Sequence, residues 1–310
     1  MSEGIKLYIK HKSRKGKPKK PNIFTFLIFF FKFERELKYK MAIERLYEDD
    51  DYVIVNKPYD MYINSDDENE RNTVACHIAS HDSHLSSSSD PLHFVQRLDY
   101  STSGILCIAK SKSSAARAGR LFEKRLTKKY YLAVVRGHVS FDLADIKYDV
   151  GKDLTPENSH RMSAAVDTSS LCGEPRTAHT RLLLLETGFY GGDAVSVVLL
   201  KPVTGRRHQL RVHTSAVGHP ILGDYTYSDR ADITPHRMFL HATRLVLPFQ
   251  TETLDIQTDE PFFSDHRFTS KWEGGKTLYK YRSKESFVKV CDVIDSSYTV
   301  GLKYQEFCLK

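Results

Sequence analysis

Cysteine is scarce and scattered in this chain of 310 residues. Cys76, Cys107, Cys172, Cys291 and Cys308 are the five present, and no two form a C-x-x-C pair. Such an odd, widely spaced set excludes a disulfide framework and fits reduced thiols inside a cell. Long apolar runs are missing too. The longest, Ile23 to Phe31, has nine residues and includes Thr25, against the roughly 18 a membrane-spanning helix needs. It follows a lysine-rich stretch, as a signal peptide would. Lys32, Phe33, Glu34 and Arg35 come next, however, without a small-residue cleavage site, so no secretory signal and no membrane partner are expected. The chain also lacks a G-x-G-x-x-G loop, a Walker loop, an H-E-x-x-H pair and a G-x-S-x-G elbow. Nucleotide cofactors, zinc-protease chemistry and serine-hydrolase chemistry therefore have no anchor.

What is present is enough for a substantial core: 40% hydrophobic residues, with 17 Phe and 17 Tyr, exclude disorder throughout. The formal charge is +7, but it is unevenly placed. Residues 1–40 hold ten Lys, two Arg and three Glu, a balance of +9, and the remaining 270 residues carry −2. The pI near 9.0 is a property of that first stretch. Three regions are expected: a basic, Phe-rich extension over 1–40, a mixed α+β domain over 41–250, and a C-terminal extension over 251–310. Met41 opens MAIERLYEDDDYVIVNKP, which reads like a fresh domain start. An intracellular, cytoplasmic location is expected, and the lysine-rich stretch would also suit a nuclear address.

Within the central region, Tyr52–Val55, Tyr130–Val135 and Met238–Leu247 read as strands. Arg181–Leu185 and Ala194–Leu200 flank a Gly188–Asp193 turn as a hairpin. The serine-rich segment from His81 to Pro91 reads as a loop, and residues 151–176 as a polar surface excursion. The clearest helix puts Ala115, Ala118, Phe122 and Leu126 on one face and Arg117, Arg120 and Lys124 on the other, with Ser111 or Ser113 as its cap. That basic face is either an RNA-facing stripe or ordinary solvated charge.

Two constellations carry chemistry. In Gln96-Arg97-Leu98-Asp99-Tyr100-Ser101-Thr102-Ser103-Gly104 a carboxylate sits between two apolar runs, followed by hydroxyls and a glycine. It is either an Asx-type turn or a carboxylate held for chemistry. In Thr204-Gly205-Arg206-Arg207-His208-Gln209-Leu210-Arg211-Val212-His213, closed by Gly218-His219-Pro220, strand-like alternation competes with a helix-stop signal. A helix would bring Arg207 and Arg211 to one side and offer anions its N-terminus. His208, His213 and His219 fit no metal-ligand spacing, so no metal is expected. A phosphate-ester hydrolase built on Arg207 and Arg211 would lack both a metal shell and an activated nucleophile.

These residues resemble a known family. VQRLDYSTSGILCIAK is similar to the H-R-L-D-x-x-T-S-G signature of RluA-type RNA pseudouridine synthases. TGRRHQLRVHTSAVGHPILGDYTY resembles that family's second long signature, almost position for position, and KKYYLAVVRGH its K-x-Y-x-A strand. DDDYVIVNKP and RTAHTRLLLLE match in order, so the likeness covers about residues 45–250. NKPYDM, GFYGGD and MFLHA are most similar to the eukaryotic branch of the family. The resemblance implies a mixed, mostly antiparallel sheet with a central catalytic cleft and flanking helices. It also implies isomerisation of uridine in RNA to pseudouridine by a monomer needing no cofactor. By the same resemblance Asp99 is the catalytic aspartate, Tyr131 (rather than Tyr130) stacks on the base, Arg211 pairs with the carboxylate, and Arg97 helps hold the RNA with the target base displaced.

The residue types suit that chemistry. An aspartate can serve as base or nucleophile at the sugar, a neighbouring cation favours an ionised carboxylate, and an aromatic ring offsets part of the cost of unstacking a base. One departure stands out: the signature's leading His is Gln96 here, with Asp99, Thr102, Ser103 and Gly104 intact. The other reading of such a chain is a catalytically silent RNA-binding protein on the same fold, whose mark would be loss of the aspartate, tyrosine or arginine.

Overall fold

The structure, a computed structural model, describes residues 43–81, 92–158, 160–296 and 301–309. The basic extension, Met41 and nearly all of the serine-rich loop (82–91) lie outside the described residues. Among the described residues the strands form one large mixed sheet and one small one, in an α+β arrangement. No helix there is long and apolar enough to cross a membrane.

The central strands of the large sheet are β4 (Ser103–Ala109), β12 (Leu240–Pro248), β5 (Lys128–Arg136), β11 (Asp193–Pro202) and β10 (Thr180–Tyr190), in that spatial order. β1 (Arg45–Glu48) and β2 (Tyr52–Lys57) extend the β4 side, and β6 (Leu143–Ile146) then β15 (Tyr304–Phe307) extend the β10 side. β3 (His93–Phe94), β13 (Thr253–Gln257) and β14 (Trp272–Thr277) pair with β4, β12 and β10. Neighbours are antiparallel except where β15 meets β6 at the edge and where β12 meets β4, through only two residue pairs, His241↔Ser103 and Ala242↔Gly104. That junction joins the two halves of the sheet. Gly104 makes it possible: its φ is +110°, and a Cβ would collide with the Ala242 backbone.

Strand alternation sorts the core. On β5, Tyr130, Leu132 and Val134 face one layer, while Ala133 and Val135 face the other. The first layer is covered by residues from beyond Gln250. Phe262, Phe268 and Tyr281 pack there, with Phe287, Val290, Cys291 and Ile294 of a helix at Lys284–Asp295. The segment expected as a C-terminal extension thus closes one face of the sheet. Its aromatics are spaced irregularly and pack as single anchors, so no period betrays them.

In chain order the helices are α1 (Val74–His81), α2 (Lys112–Glu123), α3 (Gln209–Ala216), α4 (His266–Thr269) and α5, the helix just described. α2 is the helix read from the sequence, and Ser111 caps it by accepting from the Ser114 backbone N–H. It stops earlier than the apolar spacing suggests: Arg125 has φ +57°, and Leu126 is left 52% exposed. Arg117 forms an ion pair with Asp51 at 2.5 Å, so the α2 basic face is not a uniform free stripe. The excursion at 151–176 is more ordered than its composition suggests. It contains most of a three-stranded antiparallel sheet of β7 (Asp149–Asp153), β8 (Met162–Ala165) and β9 (Cys172–Arg176). Val150 and Ala164 of that sheet pack with Val212 and Tyr227.

Two buried histidines set an acid limit on stability. Burial pushes the His213 imidazole down to about 4 and that of His241 to about 3. The unfolded chain, with histidines near 6.5, therefore takes up protons first on acidification. Stability from these two groups is complete above about pH 6.5 and falls as pH drops toward 4. Denaturant unfolding at pH 7 and pH 5 should show a loss of about 2 kcal/mol per histidine, with net proton uptake on unfolding at pH 5.

Candidate active site

A cleft of about 520 Å³ opens across the junction between the two halves of the sheet. Asp99 enters it from the turn before β4. The turn is fixed at several points: Thr102 N–H donates to Asp99 O at 3.1 Å, and Leu98, Thr102 and Ser103 are buried. The ammonium of Lys57, fully buried at the end of β2, donates to the carbonyls of Pro58, Met61 and Tyr100 at 2.9, 2.7 and 3.0 Å. Buried charge is tolerated only with such partners. Gln96 donates to Ile105 O at 2.9 Å, so the residue in place of the signature's His closes the loop.

Arg211 comes from α3, which resolves the ambiguous period in favour of helix. Its Nε and Nη2 donate to the two oxygens of Asp224 at 2.7 and 2.8 Å, and its Nη1 to Asp99 Oδ2 at 3.2 Å. Burial works against the Arg211 charge, but the hydrogen bonds and attraction of Asp224, then the charge of Asp99, outweigh it and raise its pKa. The guanidinium also lies over the Tyr227 ring, 4.9 Å from its centre. One fork is therefore spent on the fully buried Asp224, and the remaining arm holds Asp99 in a fixed direction. Arg207 does not join Arg211 on one helix face. It precedes the helix and donates to His160 O at 3.3 Å.

Tyr131 lines the cleft beside Asp99. Burial, and secondarily the charge of Asp99, raises its pKa, so it stays a neutral phenol. Tyr130 faces the opposite layer, where its hydroxyl donates to Asp295 at 2.9 Å. Alternation along β5 thus separates the two tyrosines that the sequence places side by side. Arg97 is exposed and lines the cleft.

The three histidines of the second constellation have separate partners: Tyr227 for His208, Thr180 and the Tyr148 carbonyl for His213, and the Arg136 carbonyl for His219. His208, in the left-handed region at φ +55°, begins α3 without capping it. Its Nδ1 lies 2.9 Å from the Tyr227 hydroxyl, and its Nε2 lies 3.8 Å from Asp99 Oδ1. Burial, opposed by Asp99 and aided by Arg211 and Arg207, pushes its pKa down to about 4. The Met162 N–H already donates to the Tyr227 oxygen, which leaves the phenol proton for Nδ1. The neutral ring then carries its own hydrogen on Nε2, toward Asp99.

The resulting arrangement is a carboxylate, that of Asp99, lining a cleft, aimed by a buried arginine and bordered by a phenol ring. The profile of a family described as RNA pseudouridylate synthase matches residues 51–216, the stretch that supplies Asp99, Tyr131 and Arg211. This chain belongs to that family. It is an isomerase, an RNA pseudouridine synthase. It is 41% identical over 232 residues to RNA pseudouridylate synthase domain-containing protein 1 of Danio rerio, covering 73% of this chain and 77% of that protein. It is 35% identical over 204 residues to the dual-specificity RNA pseudouridine synthase RluA of Escherichia coli, covering 65% of this chain and 85% of that one. The solved structure of human RNA pseudouridylate synthase domain containing 1 superposes with a TM-score of 0.69 at 34% identity, covering 82% of this chain and 95% of that chain.

Seen in this synthase, Asp224, Tyr227 and Lys57 are supports that sequence reasoning missed. Asp224 and Tyr227 stand in the GDYTY segment and Lys57 in NKP, both quoted for their likeness. For Lys57 the available signal was a charge directly after the apolar run Tyr52–Val55, which points to a buried, paired group.

Proposed function

We propose that this chain takes a uridine of RNA out of its stack and into the cleft, where Asp99 catalyses its isomerisation to pseudouridine. The reaction breaks the C1′–N1 bond, joins C1′ to C5, releases the hydrogen from C5 and leaves one on N1. An ionised carboxylate at the sugar can begin it as nucleophile or base. The observation that carries this reading is the Asp99 carboxylate. Its Oδ2 is fixed by Arg211, and its Oδ1, with His208 Nε2 3.8 Å away, accepts no hydrogen bond among the described residues and can meet a ligand. Tyr131 stacks against the displaced base, Arg211 orients Asp99, and Arg97 holds the RNA strand at the cleft. Stacking of this kind contributes about 1–3 kcal/mol per base.

Release of C5 hydrogen gives a direct assay, with RNA carrying tritium at uridine C5. Wild-type protein should release tritium from cellular RNA. Tyr131→Ala should lower kcat/KM by about 10–100-fold, the kinetic equivalent of the lost stacking. Tyr130→Phe should leave the rate within about twofold and lose about 1 kcal/mol of stability with its Asp295 hydrogen bond. Release by wild type that depends on Tyr130 rather than Tyr131 would reverse the assignment.

A further inference from the structure

We propose that Lys129 is a substrate-binding residue that receives the backbone phosphate of the nucleotide whose base lies on Tyr131. The inference rests on the cleft being the uridine site, and it adds a contact outside the reacting atoms.

Lys129 and Tyr131 are two residues apart on β5, so their side chains leave the same face of the sheet, about 7 Å apart along the strand. Both line the cleft. That separation is comparable to the reach from a nucleobase to its own phosphate. Thr127, just before the strand, also lines the cleft, and its neighbour Leu126 is 52% exposed. The chain thus runs from exposed Leu126 along the cleft wall through Lys129 to Tyr131.

The ammonium stands against Gly205, where a Cβ would be 3.4 Å from Nζ. Among the described residues it has no hydrogen bond or ion pair. Lys57 shows the contrast, since its buried ammonium meets three carbonyls. A shielded cation without a partner is unfavourable unless one arrives from outside. Burial accordingly lowers the Lys129 pKa to about 8, which leaves most of it protonated at neutral pH. Arg97, Arg206 and Arg207 share the cleft walls, against Asp99 and Glu123 as the acidic side chains. The missing partner is therefore an anion, and the anion that a displaced nucleotide brings is its phosphate.

Three proteins test this: wild type, Lys129→Met and Lys129→Arg, each with a fluorescent oligouridylate over a series of salt concentrations. Lys129→Met should weaken binding about tenfold and reduce the slope of log K against log salt by about 0.7, the amount for one phosphate contact on a single strand. In turnover its KM should rise by more than its kcat falls. Lys129→Arg should restore affinity to within about threefold and the slope with it, which a packing role alone would not produce. Equal affinity and slope in wild type and Lys129→Met, including no measurable binding by either, overturn the proposal. So does a fall in kcat alone. Tritium release by wild type is read separately, so failure of the isomerase reading is distinguishable from failure of this contact.

Discussion

Asp99→Asn should abolish pseudouridine formation, with a fall of about 10⁴-fold or more in tritium release, while RNA affinity stays within about threefold. Asparagine keeps the size of the side chain and an oxygen that can accept from Arg211. What it removes is the negative charge and the basic or nucleophilic oxygen that the reaction needs. The fold does not rely on that charge, because two of the three Arg211 contacts to carboxylate go to Asp224. Base displacement and backbone contacts are untouched, so binding survives. Rates and affinities of the two proteins on one RNA preparation check the prediction. An active Asp99→Asn protein would remove Asp99 from its role.

The second large effect belongs to a residue that does not line the cleft. Asp224 is fully buried and makes both of its oxygens available to Arg211, while also accepting from the backbone N–H groups of Thr226 and Tyr227. Asp224→Asn leaves the guanidinium buried without its main counter-charge. Breaking one side of such a pair costs about 3–5 kcal/mol, or roughly 10 °C of Tm in a chain of this size. Arg211 would also lose the partner that aims its free arm, and activity should fall about 100-fold beyond any unfolding. A double replacement separates the two effects. Arg211→Met with Asp224→Leu exchanges the ion pair for apolar volume and should recover much of the stability, yet remain as inactive as Arg211→Met alone. Thermal unfolding and tritium release on the same samples read both quantities.

The strands of the central sheet were legible because each carries an apolar run of the right length between turn residues. Tyr52–Lys57, the arms of the Thr180–Pro202 hairpin and Leu240–Pro248 needed no tertiary information. The turn of that hairpin is only Gly191-Gly192, because Gly188 to Tyr190 stay paired with the next strand rather than opening the turn. The α2 boundary was less legible, since Leu126 continues the apolar spacing after the backbone has turned at Arg125. Less legible still was the chain beyond Gln250, where Phe262, Phe268 and Phe287 close one face of the sheet without periodicity.

The site divides in the same way. Asp99 and Arg211 came from likeness to two long signatures and Tyr131 from the short K-x-Y-x-A strand; on spacing alone, Asp99 could have been an ordinary turn residue. Their supports depend on three-dimensional pairing. Asp224 matters because it lies within 3 Å of Arg211, thirteen residues earlier. His208 matters because the start of α3 turns its ring between Tyr227 and Asp99. Net charge says little about the site. The +7 total belongs to residues 1–40, and residues beyond 40 sum to −2. Attraction for RNA must then rest on local clustering of Arg97, Arg206, Arg207 and Lys129 around one cleft.

The most direct test of the central claim is transcriptome-wide mapping of pseudouridine in cells with the protein, without it, and with Asp99→Asn in its place. The account predicts a defined set of uridines that lose modification when the protein is absent, regain it with wild type and stay unmodified with Asp99→Asn. Modification unchanged in every RNA class without the protein, or restored by Asp99→Asn, would contradict it.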